Sequence, residues 1–201
     1  GLTRGLRGRF CPTLYSTGIF ITLCKFLTLP SHFIHRKTID NDNMKPLDTV
    51  KWGIIGCGDV TEVKSGPAFR RCEGSELVAV MRRNAEKAKD YAQRHNVATW
   101  YDEADALIND PQVNAVYVAT PPNTHHDYAI KALNAGKPVY VEKPMAMNYP
   151  QCQAMIRVAE ENKVPLFVAY YRRMLPSFLK TKELVEENAI GKVRFVNLRL
   201  H

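Results

Sequence analysis

Paired cysteines are missing from this sequence, and with them the usual signatures of disulfide frameworks and zinc sites. No cysteine forms a C-x-x-C pair or a metal-ligand spacing with another. The five cysteines are Cys11, Cys24, Cys57, Cys72 and Cys152. An odd number without a framework is typical of a reducing compartment. We therefore expect a cytoplasmic protein that binds no metal.

Long hydrophobic runs and basic blocks are missing as well. The most apolar stretch, STGIFITLCKFLTLP, is interrupted by Lys25 and is too short to span a bilayer. The net charge of +8 includes no continuous basic block of the kind that binds nucleic acid. The sequence therefore predicts neither a membrane nor a nucleic acid as a partner.

Methionine is absent from the first 43 residues, and Met44 is the first one in the chain. Three interpretations of this segment compete: translated sequence upstream of a start at Met44, an arginine-rich organellar presequence, and a weak secretory signal. We favour the first and exclude residues 1–43 from the fold. Residues 44–173 are then expected to form one domain, and residues 174–201 to begin a second.

Strand-like and helical stretches alternate through the middle of the chain. Short apolar runs predict strands at residues 49–55, 76–81, 98–102, 114–120, 137–144 and 164–170. Helices are predicted at 84–96, 103–109, 124–136 and 148–163, with Thr124 and Asn148 as N-caps. This alternation is typical of the α/β class with a doubly wound parallel (Rossmann) sheet. A helix at 175–191 and a strand at 192–201 are expected to start a second α/β domain.

The first predicted strand runs into a glycine loop that lacks the third glycine of the usual fingerprint. In WGIIGCGDVTE, Thr61 stands in that place, and we expect it to weaken helix–strand packing. Gly66-Pro67 is expected to end the first helix early. A strand, G-x-G and a helix start still predict a dinucleotide site whose backbone N–H groups bind a diphosphate. The residues expected to contact the cofactor are Gly56, Cys57, Gly58, Asp59 and Val60. Cys57 is interpreted as a small residue, with a reactive thiol as the alternative.

An acidic residue is missing from the end of the second predicted strand. Sites for NAD place a carboxylate there to bind the ribose 2′-hydroxyl, but no acid lies between Glu76 and Glu86. Instead Arg82 and Arg83 follow the strand, and two guanidinium groups could bind a 2′-phosphate. The sequence therefore favours NADP over NAD as the cofactor. The alternative is a pair of solvated arginines before a helix.

Three motifs together resemble the Gfo/Idh/MocA family, which includes glucose–fructose oxidoreductase and inositol dehydrogenase. They are GIIGCGDV, then ATPPNTHH after the fourth predicted strand, then VEKP after the fifth. The resemblance implies a nucleotide-binding domain followed by an α/β domain that covers the active site and often forms the oligomer contact. A homo-oligomer is accordingly expected for the full-length protein.

The resemblance also implies roles for individual residues. Lys143 would be the catalytic residue, reaching the substrate oxygen from a dry cleft, with Pro144 as a cis-proline that directs it. Glu142 would contact the nicotinamide side of the cofactor. The loop beside the nicotinamide would consist of Thr120, Pro121, Pro122 and Asn123. By their position after this loop, His125 or His126 could cap the helix or reach the cofactor, with at least one of them expected on the helix surface. At the exit of the sixth predicted strand, Arg172 or Arg173 could touch cofactor or substrate. The set expected to bind the cofactor thus includes His125, Glu142, Lys143 and Arg172.

The implied activity is hydride transfer between NADP or NAD and a sugar, cyclitol or related polyol. The family's second-domain histidine and aspartate are expected beyond His201, so we expect this chain to bind cofactor but to turn over poorly. Two alternatives remain: a non-catalytic protein that senses NAD(P), and another reductase, such as one like biliverdin reductase or a carbonyl or imine reductase.

Overall fold

The computed structural model describes residues 47–197 and residue 199. The three interpretations of residues 1–43 therefore concern residues outside the described part of the chain. The chain divides into two compact units, with the division between Ala169 and Tyr170. The sequence placed the domain boundary slightly later, after Arg173, and the domain assignment remains a prediction.

The first unit is built on one six-stranded parallel sheet with the strand order β3-β2-β1-β4-β5-β6. The strands are β1 (Val50–Ile55), β2 (Ser75–Met81), β3 (Thr99–Tyr101), β4 (Ala115–Val118), β5 (Val139–Val141) and β6 (Leu166–Val168). The helices are α1 (Gly66–Arg71), α2 (Ala85–Arg94), α3 (Ala104–Asn109), α4 (His125–Asn134) and α5 (Tyr149–Asn162). This is the order of a doubly wound dinucleotide-binding sheet, so the predicted fold class is confirmed.

Apolar layers cover both faces of the sheet, which explains why its strands are continuous apolar runs rather than alternating ones. One layer, which we call the aromatic layer, is formed by Trp52, Phe69, Tyr117 and Tyr140 with their neighbours. Its rings pack at short distances, for example 5.3 Å between the centroids of Tyr117 and Tyr140. The opposite layer is aliphatic and includes Leu107, Leu133 and Met155. The two layers hold the carboxyl ends of the strands in fixed positions.

Of the two predicted N-caps, one makes the expected side-chain hydrogen bond and the other does not. Asn148 Oδ1 accepts a hydrogen bond from the Gln151 N–H at 3.0 Å, so this N-cap is confirmed. Thr124 occupies the N-cap position of α4 but makes no side-chain cap hydrogen bond. Its hydroxyl lies 2.9 Å from the Pro121 carbonyl oxygen, because the 3₁₀ turn Pro122–Thr124 precedes the helix and directs the side chain back into the loop.

The helix after the glycine loop continues through Gly66-Pro67, so the predicted early end is wrong. A π-helical turn, Thr61–Ser65, leads directly into α1. The Gly66 N–H donates to the Thr61 carbonyl oxygen five residues earlier, and Pro67 falls in the first turn of α1, where its missing N–H leaves no bond unmade. The Tyr91 hydroxyl donates to the same Thr61 oxygen at 3.0 Å.

Replacing Gly66 with alanine is expected to lower the free energy of unfolding by about 1–3 kcal/mol. An alanine Cβ there would overlap the Thr61 carbonyl oxygen and would lie 2.6 Å from Tyr91 Oη. Alanine's better helix propensity offers only about 1 kcal/mol in return. Urea unfolding measures the change. Gly58→Ala is the matched control, since a Cβ there has nothing within 4 Å; equal midpoints for the two variants would contradict the expectation.

The second unit contains the 3₁₀ turn Tyr171–Met174 and helix α6 (Pro176–Glu186). The predicted strand at 192–201 is not observed among residues 192–197 and 199, while Leu198, Leu200 and His201 lie outside the described residues. A strand is stable only when it pairs with another, and the described part of this unit forms no partner strand. Across residues 47–197, no helix has both the length and the apolarity needed to cross a membrane.

Candidate nucleotide site

The candidate site lies where the chain leaves β1 and β4, which are neighbours in the sheet. In this strand order the direction of winding reverses between these two strands, and ligands of such sheets bind in the crevice outside their carboxyl ends. The Ala119 N–H donates to the Ile55 carbonyl oxygen at 2.9 Å, and the Gly56 N–H donates to the Met81 carbonyl oxygen at 2.9 Å. The glycine loop and the loop after β4 therefore begin side by side.

Gly56 is required by the protein itself. Its φ is +94°, and a Cβ at this position would lie 2.7 Å from Thr120 Cγ2 and 2.8 Å from the Thr120 nitrogen. A larger residue would be strained and would also push the loop after β4 away. Gly56 thus keeps the first two sequence motifs in contact.

Gly58 is different, because nothing in the protein requires a glycine there. A Cβ at Gly58 would meet no atom within 4 Å, and helical backbone begins at the next residue, Asp59. The open space lies outside a helix start, where N–H groups without intrahelical acceptors favour an anion. The residues present therefore fit the diphosphate of a dinucleotide.

Thr61 stabilises the glycine loop, while the weaker helix–strand packing expected of it stays a prediction. The residue is fully buried, and its hydroxyl accepts a hydrogen bond from the Gly58 N–H at 2.9 Å and donates to the Gly58 carbonyl oxygen at 2.8 Å. The Gly58 N–H is therefore already paired, which leaves the backbone around Asp59 and Val60 to face a ligand. The Thr61 side chain, instead of a third glycine, thus holds the loop in its conformation.

Cys57 is a packing residue of the aromatic layer. Its side chain is buried, and burial, only partly offset by the nearby Arg82 charge, raises the pKa of the thiol to about 11. Because the thiolate is the reactive form, the alternative of a reactive thiol is disfavoured.

We expect Cys57 to be alkylated by iodoacetamide at pH 8 much more slowly than Cys152, which is only partly buried. A thiol with its pKa about three units above the solution pH is about 0.1% thiolate. Peptide mass spectrometry of a time course measures both residues in one sample, and the urea-unfolded protein is the control. Labelling of Cys57 at the rate of Cys152 in the folded protein would contradict the expectation.

The two arginines after β2 occupy different positions. Arg82 is partly buried, and its Nη1 donates to the Cys57 carbonyl oxygen at 3.3 Å, so it lies against the glycine loop. Arg83 is exposed. Asn84 is committed to the fold, because its side chain accepts from the Lys87 N–H and caps α2. Of the two candidates for a 2′-phosphate, Arg82 is the one held at the loop.

The loop after β4 contains the predicted residues Thr120, Pro121, Pro122 and Asn123. Pro121 and Asn123 are exposed, and Thr120 and Pro122 are partly buried. The 3₁₀ turn holds this segment above the end of the strand, and the Thr124 hydroxyl lies 2.8 Å from Thr120 Oγ1. The loop therefore presents backbone and side chains at the same edge as the glycine loop.

His125 is placed differently from its predicted role among the cofactor ligands. It is fully buried, with Nε2 2.7 Å from the Thr120 carbonyl oxygen and Nδ1 2.8 Å from the Pro144 carbonyl oxygen. A neutral imidazole donates to one of these oxygens, and a doubly protonated ring donates to both. His125 therefore links the loop after β4 to the loop after β5. His126 is a surface residue whose Nδ1 lies 2.7 Å from Asp127 Oδ1.

Glu142 and Lys143 follow β5 and lie at the same edge of the sheet. The Lys143–Pro144 peptide is cis, as the family resemblance implied. Lys143 Nζ is 4.0 Å from Glu142 Oε2, and the Lys143 side chain is 55% exposed. Within the first unit, Lys143 thus does not lie in the dry cleft that was expected.

Tyr117 is a residue of this region that the sequence analysis missed. Its hydroxyl donates to Glu142 Oε1 at 2.7 Å, and burial, followed by the Glu142 charge, raises the pKa of the phenol well above its ordinary value. One sequence feature could have indicated it: Tyr117 lies in an otherwise apolar strand, and the neighbouring strand of the parallel sheet is followed by the carboxylate of Glu142.

Arg172 lies in the second unit, within Tyr171–Met174, and its role remains a prediction.

Residues 50–170 match the family model described as an oxidoreductase family with an NAD-binding Rossmann fold, Gfo/Idh/MocA. The chain belongs to this family. An oxidoreductase from Formosa agariphila is 54% identical over 144 residues, which cover 72% of this chain and 45% of that protein. The trans-1,2-dihydrobenzene-1,2-diol dehydrogenase of Xenopus tropicalis is 33% identical over 151 residues, or 73% and 44% of the two chains.

Solved structures of the Gfo/Idh/MocA family agree with the fold. A 3-ketoreductase from Actinomadura kijaniata, crystallised with TDP-benzene and NADP, superposes with a TM-score of 0.66 at 29% identity, covering 73% of this chain and 46% of that one. The chain spans less than half the length of the curated relatives described above. The similarity therefore concerns the nucleotide-binding part of the family.

Proposed function

We propose that this chain is the nucleotide-binding part of an NAD(P)-dependent oxidoreductase that acts on a carbinol or carbonyl carbon of a sugar, cyclitol or related polyol. The observation that carries the proposal is the convergence of three loops at one edge of the sheet. The glycine loop contacts Thr120, and His125 joins the Thr120 loop to the loop that carries Glu142 and Lys143. Diphosphate-binding backbone and an exposed amine thus share one edge.

In this proposal, different residues of the chain bind the cofactor and the substrate. Backbone N–H groups at the start of the helix would hold the diphosphate, and the loop from Thr120 to Asn123 would lie beside the nicotinamide ribose. When bound, the nicotinamide accepts or supplies the hydride. Lys143 Nζ donates a hydrogen bond to the substrate oxygen and holds or passes on its proton as the carbon changes oxidation state. Glu142 faces the same region.

Isothermal titration calorimetry of the 201-residue chain with NADPH and NADH tests the proposal at its first step. We expect heat with at least one of the two and a rise in the urea midpoint when that cofactor is present. No heat and no protection from unfolding with either dinucleotide would overturn the proposed function. Polyol and carbonyl panels with the natural protein then test the substrate class, and turnover of a tetrapyrrole instead would favour the alternative reductase.

NADP is the proposed cofactor, and Arg82 is the residue expected to select it. Support comes from the missing carboxylate after β2, from the contact of Arg82 with the glycine loop, and from the NADP bound to the related 3-ketoreductase. A guanidinium held at the loop can bind a 2′-phosphate, and a charged hydrogen bond of this kind contributes about 1.5–3 kcal/mol.

Arg82→Ala is accordingly expected to lower the preference for NADPH over NADH by about tenfold or more. The ratio of the two dissociation constants is the informative quantity, because a general loosening of the loop would weaken both cofactors equally. Arg157→Ala, which removes an exposed arginine from α5, is the charge-matched control. An unchanged ratio in Arg82→Ala would exclude the role proposed for this residue.

A further inference from the structure

The hydroxyl of Tyr117, in the aromatic layer, donates to a carboxylate of the candidate site. Tyr117 lies in β4, is fully buried, and pairs in register with Tyr140 of β5. Glu142 continues β5 by one residue, with its N–H donating to the Val118 carbonyl oxygen at 2.9 Å. The tyrosine hydroxyl therefore contacts Glu142 from the buried aromatic layer.

The Glu142 carboxylate is shared between two donors. Oε1 accepts the Tyr117 hydroxyl at 2.7 Å, and Oε2 accepts the Lys143 N–H at 3.1 Å. Two donors at opposite oxygens fix the rotation of the carboxylate plane. The Glu142 side chain is only 19% exposed, so water cannot readily replace the tyrosine.

Packing alone does not explain the hydroxyl. The ring of Tyr117 fits between Phe69 and Tyr140, with centroid distances of 5.3 Å to each, and a phenylalanine would make the same ring contacts. The hydroxyl's partner is the Glu142 carboxylate, which lies 25 residues later in the chain. The hydroxyl thus joins two parts of the site that are far apart in sequence.

We propose that Tyr117 is a positioning residue: through its hydroxyl it holds the Glu142 carboxylate in the orientation that contacts the nicotinamide end of the cofactor and faces Lys143. The inference rests on the proposed function and adds to it a residue in the core of the sheet. It implies that Tyr117 acts only through Glu142. Removing the hydroxyl should therefore matter for a ligand that carries a nicotinamide and should not matter for one that lacks it.

The experiment measures dissociation constants of the 201-residue chain for NADPH and for adenosine 2′,5′-bisphosphate, which has the phosphorylated adenosine but no nicotinamide. The variants are Tyr117→Phe, Glu142→Ala and the double variant. Tyr101→Phe is the matched control, because it removes a hydroxyl that donates to Asp110 and leaves the Tyr117–Glu142 bond in place. Urea unfolding of each variant reports on the fold.

We expect Tyr117→Phe to raise the dissociation constant for NADPH about five- to tenfold. The dissociation constant for adenosine 2′,5′-bisphosphate should stay within about twofold of wild type. In the Glu142→Ala background the same substitution should have no further effect on NADPH, since there is no carboxylate left to hold. Three results would each overturn the inference and leave the proposed function intact. They are an equal loss of affinity for both ligands, additive effects in the double variant, and an unchanged affinity for NADPH. Failure of the wild-type chain to bind NADPH, NADH and adenosine 2′,5′-bisphosphate alike would overturn both.

Discussion

Gly58→Val is expected to abolish dinucleotide binding while leaving the fold unchanged. The protein itself has room for the side chain, since a Cβ at this position meets nothing within 4 Å and the backbone is not in the left-handed region. The proposed function puts the diphosphate in the same space, so a valine there would displace the ligand. We expect the dissociation constant for NADPH to rise by at least about 30-fold, which corresponds to about 2 kcal/mol.

Two measurements separate this expectation from a folding defect. Calorimetric titration gives the affinity, and urea unfolding in the absence of cofactor should give a free energy of unfolding within about 0.5 kcal/mol of wild type, as for other surface substitutions. Gly56→Val provides the contrast: it is expected to lose stability and binding together, because a side chain at this positive φ would be strained and would overlap Thr120. Wild-type affinity in Gly58→Val would show that the diphosphate does not lie at this loop.

Lys143→Met is expected to remove turnover without removing the cofactor. Methionine keeps most of the aliphatic length and loses the amine, so the substrate oxygen has no partner for its proton. General acid–base groups contribute about 10²- to 10⁴-fold to rate, and we expect kcat of the natural protein to fall by at least 10²-fold. The affinity for NADPH should stay within about twofold, since a half-exposed side chain 4.0 Å from Glu142 supports no part of the glycine loop.

The control for Lys143→Met is Lys131→Met, which removes an exposed amine on α4 that pairs with Asp105 at 2.8 Å and is expected to leave kcat unchanged. The assay follows NADPH absorbance with the best substrate of the polyol panel. Full turnover in Lys143→Met would mean that the amine has no chemical role. A natural protein that binds NADPH and turns over no substrate would instead favour the cofactor-sensing alternative.

The sheet could be predicted from sequence because the features that indicate its strands and helices are local in the chain. Continuous apolar runs such as the one ending at Ile55 indicate strands buried on both faces, and Asn148 followed by Pro150 is a helix start that needs no tertiary context. The failures occurred where a long-range contact decides the local structure. At Gly66-Pro67 the helix continues: the Gly66 N–H donates to the Thr61 carbonyl oxygen across the π turn, and Tyr91, from another helix, donates to the same oxygen.

The candidate site could be predicted only in part, for the same reason. Glycine spacing and the proline after Lys143 are sequence features, whereas the contacts of His125 and Tyr117 depend on which strands are neighbours. The sequence placed His125 beside the cofactor because it follows the loop motif; the ring in fact turns inward to two backbone carbonyls. The expected strand at 192–201 needs a partner strand that the described residues of its unit do not form.

The buried imidazole also constrains how this fold can be re-engineered. Because one ring spans the backbone of both loops, a designer who transplants the segment after β4 from a relative must transplant the segment after β5 with it. A chimaera that exchanges only one would leave a ring nitrogen facing a carbonyl in the wrong place, sealed from water. The two loops at this edge of the sheet are therefore best exchanged as a pair.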